Sequence, residues 1–245
     1  MNVKHKIQRS FNRAADSYDD NCHAQLRAGI KLTHLIKSCQ PHAERIIDLG
    51  CGTGITTQII ASQYCFHDFH AIDISTSLLM KACQRLNKLK INVYEMDFEN
   101  IANNNHSPFD IIYSNMALQW SSNIFNTLIT LRELLTDNGN LAFSLPLSGT
   151  FRELQHHYTI NHFPDINTIQ QYLISAGYRI LISESENIRL TFPHVIQALK
   201  SIKQTGANYA CHRIHKGLNG KSHLKQINSN ELTYETGYFI ASKAR

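Results

Sequence analysis

The sequence predicts an α/β fold in which a mostly parallel sheet carries helices on both faces. Three observations predict it. Short apolar runs alternate with amphipathic stretches between residues 46 and 145. One run, IIDLGCGTG at 46–54, passes from a buried strand directly into a glycine loop. Two extended stretches near the end of the chain flank a looser, more helical region.

In chain order, residues 4–17 predict a helix with Ile7, Phe11, Ala14 and Ala15 on one face, and a second helix covers about 20–38. Tyr18 ends the first. These two helices precede the first strand, where they could lie across a ligand cleft as a lid. After the strand at 46–49, helices are predicted at 53–62 and 76–87 and strands at 70–72 and 91–96. A polar loop at 100–108 leads to a strand at 109–114, then a helix at 123–135 that stops at the turn signal Thr136-Asp137-Asn138-Gly139. A fifth strand, 140–145, ends at Pro146. Beyond it, helices are read at 151–158, 167–176 and 192–204. Gly177 and Gly206 close the last two of these, and extended segments lie at 178–189 and 232–242. No internal repeat or low-complexity segment interrupts the pattern.

The glycine loop carries the first functional signal. Glycine tolerates positive φ and lets a ligand touch the main chain, and the following helix turns its partly positive N-terminus to the same place. The dinucleotide fingerprint G-x-G-x-x-G would put its third glycine at position 55, but that residue is Ile55 and the glycine comes one earlier, at Gly54. Asp48 stands two residues before Gly50. A carboxylate there would repel a pyrophosphate and favour an ammonium group. The loop therefore suits a zwitterionic ligand such as the methionine part of S-adenosylmethionine better than NAD. Cys51, inside the loop, reads as a small residue whose backbone N–H matters. Asp73, 19 positions after Gly54, ends the second strand and can accept both ribose hydroxyls. Asp97 and Phe98 after the third strand form a clamp for an adenine ring and its amine. Ile74 beside Asp73, and Asn115 and Met116 after the fourth strand, complete the expected cofactor contacts.

Bulk properties remove several classes. The chain is 42% hydrophobic and 18% charged, which fits a folded globular protein and not a disordered one. MNVKHKIQRS has no apolar core and so reads as no signal peptide, and no apolar run spans a membrane. The six cysteines form no C-x-x-C pair and the fourteen histidines are scattered, which argues against disulfides and metal and for the cytoplasm. Charge is uneven. From Leu190 onward there are eight Lys or Arg (200, 203, 213, 216, 221, 225, 243, 245) against two Glu (231, 235), giving +6 there against +5 overall and −1 for the rest. Such an excess suits an acidic macromolecular partner.

The acidic-Gly-x-Gly-x-Gly loop, Asp73 and the Asp97-Phe98 pair together resemble a class I S-adenosylmethionine-dependent methyltransferase. Further segments narrow this: SFNRAADSY at 10–18, NMALQW at 115–120, SLPLSGTFREL at 144–154, ALKSIKQTGAN at 198–208 and LTYETGYF at 232–239. They are similar to the malonyl-[acyl-carrier protein] O-methyltransferases of biotin synthesis over essentially the whole chain. The resemblance implies a Rossmann-like, mostly parallel seven-stranded sheet. It implies one methyltransferase domain, with a helical lid at 1–40, a cofactor core at 41–147, a cap and substrate region at 148–231 and a final strand at 232–245. It implies methyl transfer from S-adenosylmethionine, without metal, to the free carboxyl of malonyl-acyl carrier protein, giving the ester that primes pimeloyl formation. Donors to the buried carboxylate are then sought among Tyr18, Trp120, Lys203 and Tyr234, with Gln119 as a further candidate. Arg152 is read as a solvated helix residue. The acidic carrier would dock on Lys200, Arg213, Lys216, Lys221 and Lys225. A methyltransferase for a free carboxylic acid or quinone precursor, a nucleic-acid methyltransferase and a non-catalytic cofactor-binding protein remain as alternatives. Against the nucleic-acid reading, NMALQW lacks the Asn/Asp-Pro-Pro-aromatic signature of base flipping.

Overall fold

A computed structural model describes residues 3–103, 106–156, 158–207, 211–213 and 230–244. The chain opens with three helices, α1 (Val3–Ala14), α2 (Tyr18–Asn21) and α3 (His23–Cys39). Strands and helices then alternate: β1 (Arg45–Leu49), α4 (Ile55–Ala61), β2 (Asp68–Asp73), α5 (Thr76–Leu86), β3 (Ile91–Glu95), β4 (Phe109–Asn115), α6 (Ile124–Glu133) and β5 (Leu135–Pro146). The remainder comprises β6 (Tyr158–Ile160), α7 (Ile166–Ser175), β7 (Tyr178–Thr191), α8 (Val195–Gln204), β8 (Cys211–Arg213) and β9 (Glu231–Lys243).

Seven strands form one sheet in the order β3-β2-β1-β4-β5-β9-β7. All pairs are parallel except those made by β9, which runs antiparallel to both β5 and β7. Alternate residues of each strand feed two separate cores, as the two-residue side-chain period requires. Ile46 and Ile111 face the core under α3, built on Ala28, Leu32 and Ile36. Ile47 and Ile112 face the core under α6 and α7, built on Leu128, Leu131, Ile169 and Leu173. The helices begin where short polar side chains can satisfy the first free amides. Ser75 accepts from Leu78 N, Asn123 from Asn126 N and Asp165 from Thr168 N, each worth about 0.5–2 kcal/mol.

Strand order reverses direction at β1, which pairs with β2 on one side and β4 on the other. A crevice opens at such a switch point outside the carboxyl ends of the strands. The glycine loop leaves β1 there, and Asn115 ends β4 there.

Five sequence expectations differ from the structure. The single helix expected at about 20–38 is broken at Cys22 into α2 and α3. The first helix ends at Ala14, and Tyr18 opens a turn of its own instead of closing α1. Helix α4 starts at Ile55 and not at residue 53, because Gly54 has φ +76° and cannot be helical. Thr136–Gly139 does not separate helix from strand. Phe109 pairs with Leu135 and Ile111 with Asn140, so two steps along β4 match five along β5, and the turn residues bulge out within the strand. Finally, 151–158 is not a helix: a 3-10 turn at Arg152–Leu154 precedes β6, which pairs antiparallel with β8.

Candidate active site

The pocket at the switch point is floored by the loop after β1. Gly50 (φ +78°) has no room for a side chain, since a Cβ would collide with the Cβ of Ala117. Gly52 (φ +57°) is different: its bare face looks into the pocket, with the Tyr18 hydroxyl 3.8 Å from where a Cβ would stand. Gly54 does not line the pocket and packs on Leu86 and Ala82 of α5. The loop amides are spent internally. Gly50 N and Cys51 N both donate to Ile72 O, at 2.8 and 3.0 Å, so the backbone N–H of Cys51 is not open to a ligand as the sequence suggested. Its side chain is buried against Ala71, Leu79, Ala82 and Leu86, and burial pushes its thiol up, leaving it an apolar filler.

Two carboxylates sit under and beside this loop. Asp48 is fully buried below it. Thr57 Oγ1 donates to its Oδ2 at 2.6 Å, while Oδ1 has no partner. Burial raises its carboxyl from 3.8 to about 7. Asp73 lines the pocket. Gly52 N donates to its Oδ2 at 2.9 Å and Ser75 N to its Oδ1 at 2.8 Å. Burial lifts its pKa to about 6, against the lowering effect of these amides. Each oxygen retains a second lone pair for a ligand hydroxyl.

The tips of β3 and β4 close two further sides. Asp97 and Phe98 follow β3, with Ile74 across from them. At the end of β4, Asn115 bridges elements: its Nδ2 donates to Gln25 O at 2.9 Å and its Oδ1 accepts from Ser144 Oγ at 2.8 Å. Met116 then turns the chain with φ +53°, unusual for a residue with a side chain. This turn sets Ala117 against Gly50 and presents Trp120 to the pocket, edge-on to Phe11 at 5.6 Å. Gln119 Nε2 holds Met116 O at 2.6 Å, and its buried Oε1 has no partner.

Helix α1 crosses the rim. Its polar stripe is spaced by four residues. Lys4 reaches Asp97 at 3.1 Å and Glu99 at 2.7 Å, with Phe98 beneath its ammonium. Gln8 donates to Ile74 O at 2.8 Å, and Asn12 Oδ1 accepts from Ser75 Oγ at 2.7 Å. The next face of α1 turns Ile7 and Phe11 into the pocket. Tyr18 is half-buried over Gly52, and desolvation, reinforced by Cys22, Asp73 and Asp19, holds its phenol well above the usual range. Tyr234 on β9 lies in the same electrostatic neighbourhood. It is buried edge-on to Phe151 at 4.8 Å, and burial raises its phenol too. Both hydroxyls are therefore neutral donors at physiological pH.

Structure and sequence diverge for Lys203. It is exposed on α8 and does not line this pocket, because Ala198, Ser201 and Ile202 occupy the buried face of that helix. Lys200 is likewise exposed. Of Arg213 only the backbone is described, in β8, and Lys216, Lys221 and Lys225 lie outside the described residues. Sequence reasoning missed Lys4, Phe11 and Ala117, which line the pocket. The spacing of Lys4, Gln8 and Asn12 was a usable signal for α1.

These features fit S-adenosylmethionine. Asp48 offers an orphaned buried oxygen for an ammonium group, Asp73 has acceptor capacity for hydroxyls, and Gly52 leaves a cradle that any Cβ would fill. Among the described residues no cluster of metal-ligating side chains occurs, the five cysteines whose side chains are described are free, and no helix is long and apolar enough to cross a membrane.

Residues 47–141 match the methyltransferase domain family. Malonyl-[acyl-carrier protein] O-methyltransferase 2 of Coxiella burnetii (strain RSA 493 / Nine Mile phase I) is 34% identical over 242 residues, covering 98% of this chain and 97% of its own. The chain belongs to the malonyl-[acyl-carrier protein] O-methyltransferase family. A second member, from Methylovorus sp. (strain MP688), is 26% identical over 91% of this chain and 80% of its own. Membership makes the chain an S-adenosylmethionine-dependent methyltransferase. Solved structures agree on the fold of the family. The N-methyltransferase NodS of Bradyrhizobium japonicum WM9, solved with S-adenosyl-L-homocysteine, gives a TM-score of 0.63 over 98% of this chain and 100% of its own, at 14% identity. The putative methyltransferase complexed with the Haloferax volcanii Trm112 activator gives 0.65 over 96% and 98%, at 13% identity.

Proposed function

We propose that this enzyme transfers the methyl group of S-adenosylmethionine to the free carboxylate of malonyl-acyl carrier protein, giving the ester that primes pimeloyl formation in biotin synthesis. The observation that carries this reading is the 34% identity to a named relative from end to end, across the N-terminal helices and the late region as well as the cofactor core.

S-adenosylmethionine supplies an electrophilic methyl group on a sulfonium. Asp48 and Gly50 would receive its amino-acid end, Asp73 its ribose hydroxyls, and Asp97, Phe98, Asn115 and Met116 the region of the base. The acceptor carboxylate resembles a Glu side chain of pKa about 4.3 and is ionised at neutral pH, so no general base is required. A carboxylate buried without donors is costly. Tyr18 and Tyr234, both held neutral, are suited to donate hydrogen bonds to it, while Trp120, Phe11 and Ile7 keep water out. Holding the reactants in line can supply roughly 7–11 kcal/mol of the barrier. In this reading residues 1–40 act as the lid and 148–231 as the cap. Lys200, Arg213, Lys216, Lys221 and Lys225 would supply the positive charge that an acidic carrier protein docks on.

The test is transfer of label from S-adenosylmethionine to malonyl-acyl carrier protein, malonyl-coenzyme A or free malonate. Transfer to the carrier thioester is expected, and label on free malonate alone, or on none of the three, would sink the proposal. Reversing Lys216, Lys221 and Lys225 to Glu should raise KM for the carrier substrate more than for the coenzyme A thioester. An equal rise with both rejects the docking face.

A further inference from the structure

We propose that Asp19, Thr53 and Arg85 form a clasp that sets Tyr18 over the glycine loop, making Asp19 and Arg85 positioning residues for methyl transfer. For the transfer step the inference rests on Tyr18 being the donor described above; its effect on cofactor binding does not.

Tyr18 opens α2, which is a single turn of four residues. So short a helix is not stable by itself, since nucleation fixes several dihedrals for one hydrogen bond. Nor does α2 cap itself: the Ser17 side chain makes no cap bond and instead reaches Gln204 O at 3.0 Å. Something outside α2 has to fix the place of Tyr18, and Asp19 is the adjacent residue.

The two carboxylate oxygens of Asp19 go to two different elements. Thr53 Oγ1, in the glycine loop, donates to Oδ1 at 2.6 Å. Arg85 Nη2, on α5, donates to Oδ2 at 2.7 Å. The other terminal nitrogen of Arg85 donates to the carbonyl of Thr53, which closes the triangle. A guanidinium holds its two terminal nitrogens in a fixed planar fork, one for each acceptor. Thr53 is fully buried and both charged side chains are largely covered, at 33% exposure for Asp19 and 25% for Arg85. The clasp thus ties the turn that carries Tyr18 to the backbone next to Gly52, the residue whose missing Cβ faces the Tyr18 ring. It also gives a task to Thr53, a buried polar residue of the loop that does not itself line the pocket.

The test is a mutant cycle read first by calorimetric binding of S-adenosylhomocysteine, which needs no acceptor, and then by kcat and KM on a malonyl thioester. Asp19→Asn has one acceptor where two donors converge. It is expected to weaken product binding about tenfold and to lower kcat by a similar factor, with Arg85→Met doing the same from the other side. In a Tyr18→Ala background, Asp19→Asn should cost nothing further. Losses that multiply in that background, or an Asp19→Asn enzyme with unchanged affinity, would overturn the clasp. If Tyr18→Ala does not fold, the cycle is read through kcat in Tyr18→Phe: no further loss supports the clasp, and multiplying losses overturn it. An unaltered enzyme that binds S-adenosylhomocysteine yet methylates no malonyl thioester would refute the proposed function, while the binding arm would still decide the clasp.

Discussion

In the proposed function, the half of the pocket that would hold the methyl donor and the half that would hold the acceptor are made of different material. The donor half is main chain and carboxylates at the tips of β1, β2 and β3, locked by the sheet: Gly52 N to Asp73, Gly50 N to Ile72 O. The half proposed for the acceptor is side chains: Tyr18 on a one-turn helix and Trp120 after a strained turn line it, while Tyr234 on the antiparallel strand β9 is buried and is not part of its lining. Main chain fixed by a sheet tolerates almost no substitution, while side chains on connecting segments can be exchanged without disturbing the scaffold. One fold can therefore keep its methyl donor and change its acceptor.

The sharpest way to break this contrast is at Gly52. Gly52→Val places a branched side chain in the cradle and forces it to a positive φ, costing about 1–2 kcal/mol of backbone strain before any clash with ligand. Affinity for S-adenosylhomocysteine, measured by calorimetry, should fall at least about 100-fold while far-ultraviolet circular dichroism stays native. Retained affinity would show that the loop does not hold the donor.

A middle-sized effect concerns pH. Asp73 titrates at about 6, above its ordinary 3.8, and Asp48 at about 7. Because both folded values are raised, the folded chain keeps protons that the unfolded chain has already released. Ligand-free stability should thus decline as pH rises from about 4 to 7 and level off above. Binding has the opposite sign, since hydroxyls need Asp73 as a carboxylate. Affinity should drop by up to about tenfold per pH unit below about 6. Asp73→Asn should remove the steepening below about 6 and leave the shallower dependence that Asp48 contributes below about 7. A profile unchanged by the substitution would show that Asp73 is not the titrating group.

The smallest effect is expected at the rim. Lys4→Met removes the ammonium that α1 lends to Asp97 and Glu99, both partly solvent-screened. Equilibrium affinity should change by no more than about threefold, with faster association and release in stopped-flow traces. A large loss of affinity would make α1 part of the donor half.

Legibility in the sequence followed the same division. The glycine loop and the strand-end aspartates could be read because strand, turn and acidic tip are consecutive, and their function depends on backbone geometry that glycine itself encodes. The clasp could not, because Asp19 meets Thr53 across 34 positions and Arg85 across 66. Lys203 belongs to a family-like segment, but the segment does not reveal that the buried stripe of α8 points the lysine outward. The helix expected at 151–158 failed because Phe151, at φ +59°, turns the chain where periodicity alone saw continuity.

Helix α1 also touches the end of α8: Ser10 donates to Gly206 O at 2.9 Å, and Phe11 packs against Gly206. One helix thus touches both the rim of the pocket and the end of α8. Thermodynamic reciprocity then applies: whatever affinity a docked acyl carrier gains from a seated donor, the donor gains in equal measure from a docked carrier. With the carrier docked as proposed, a positive coupling would favour the ternary complex over either binary one, and a negative coupling would make each substrate weaken the other by the same factor.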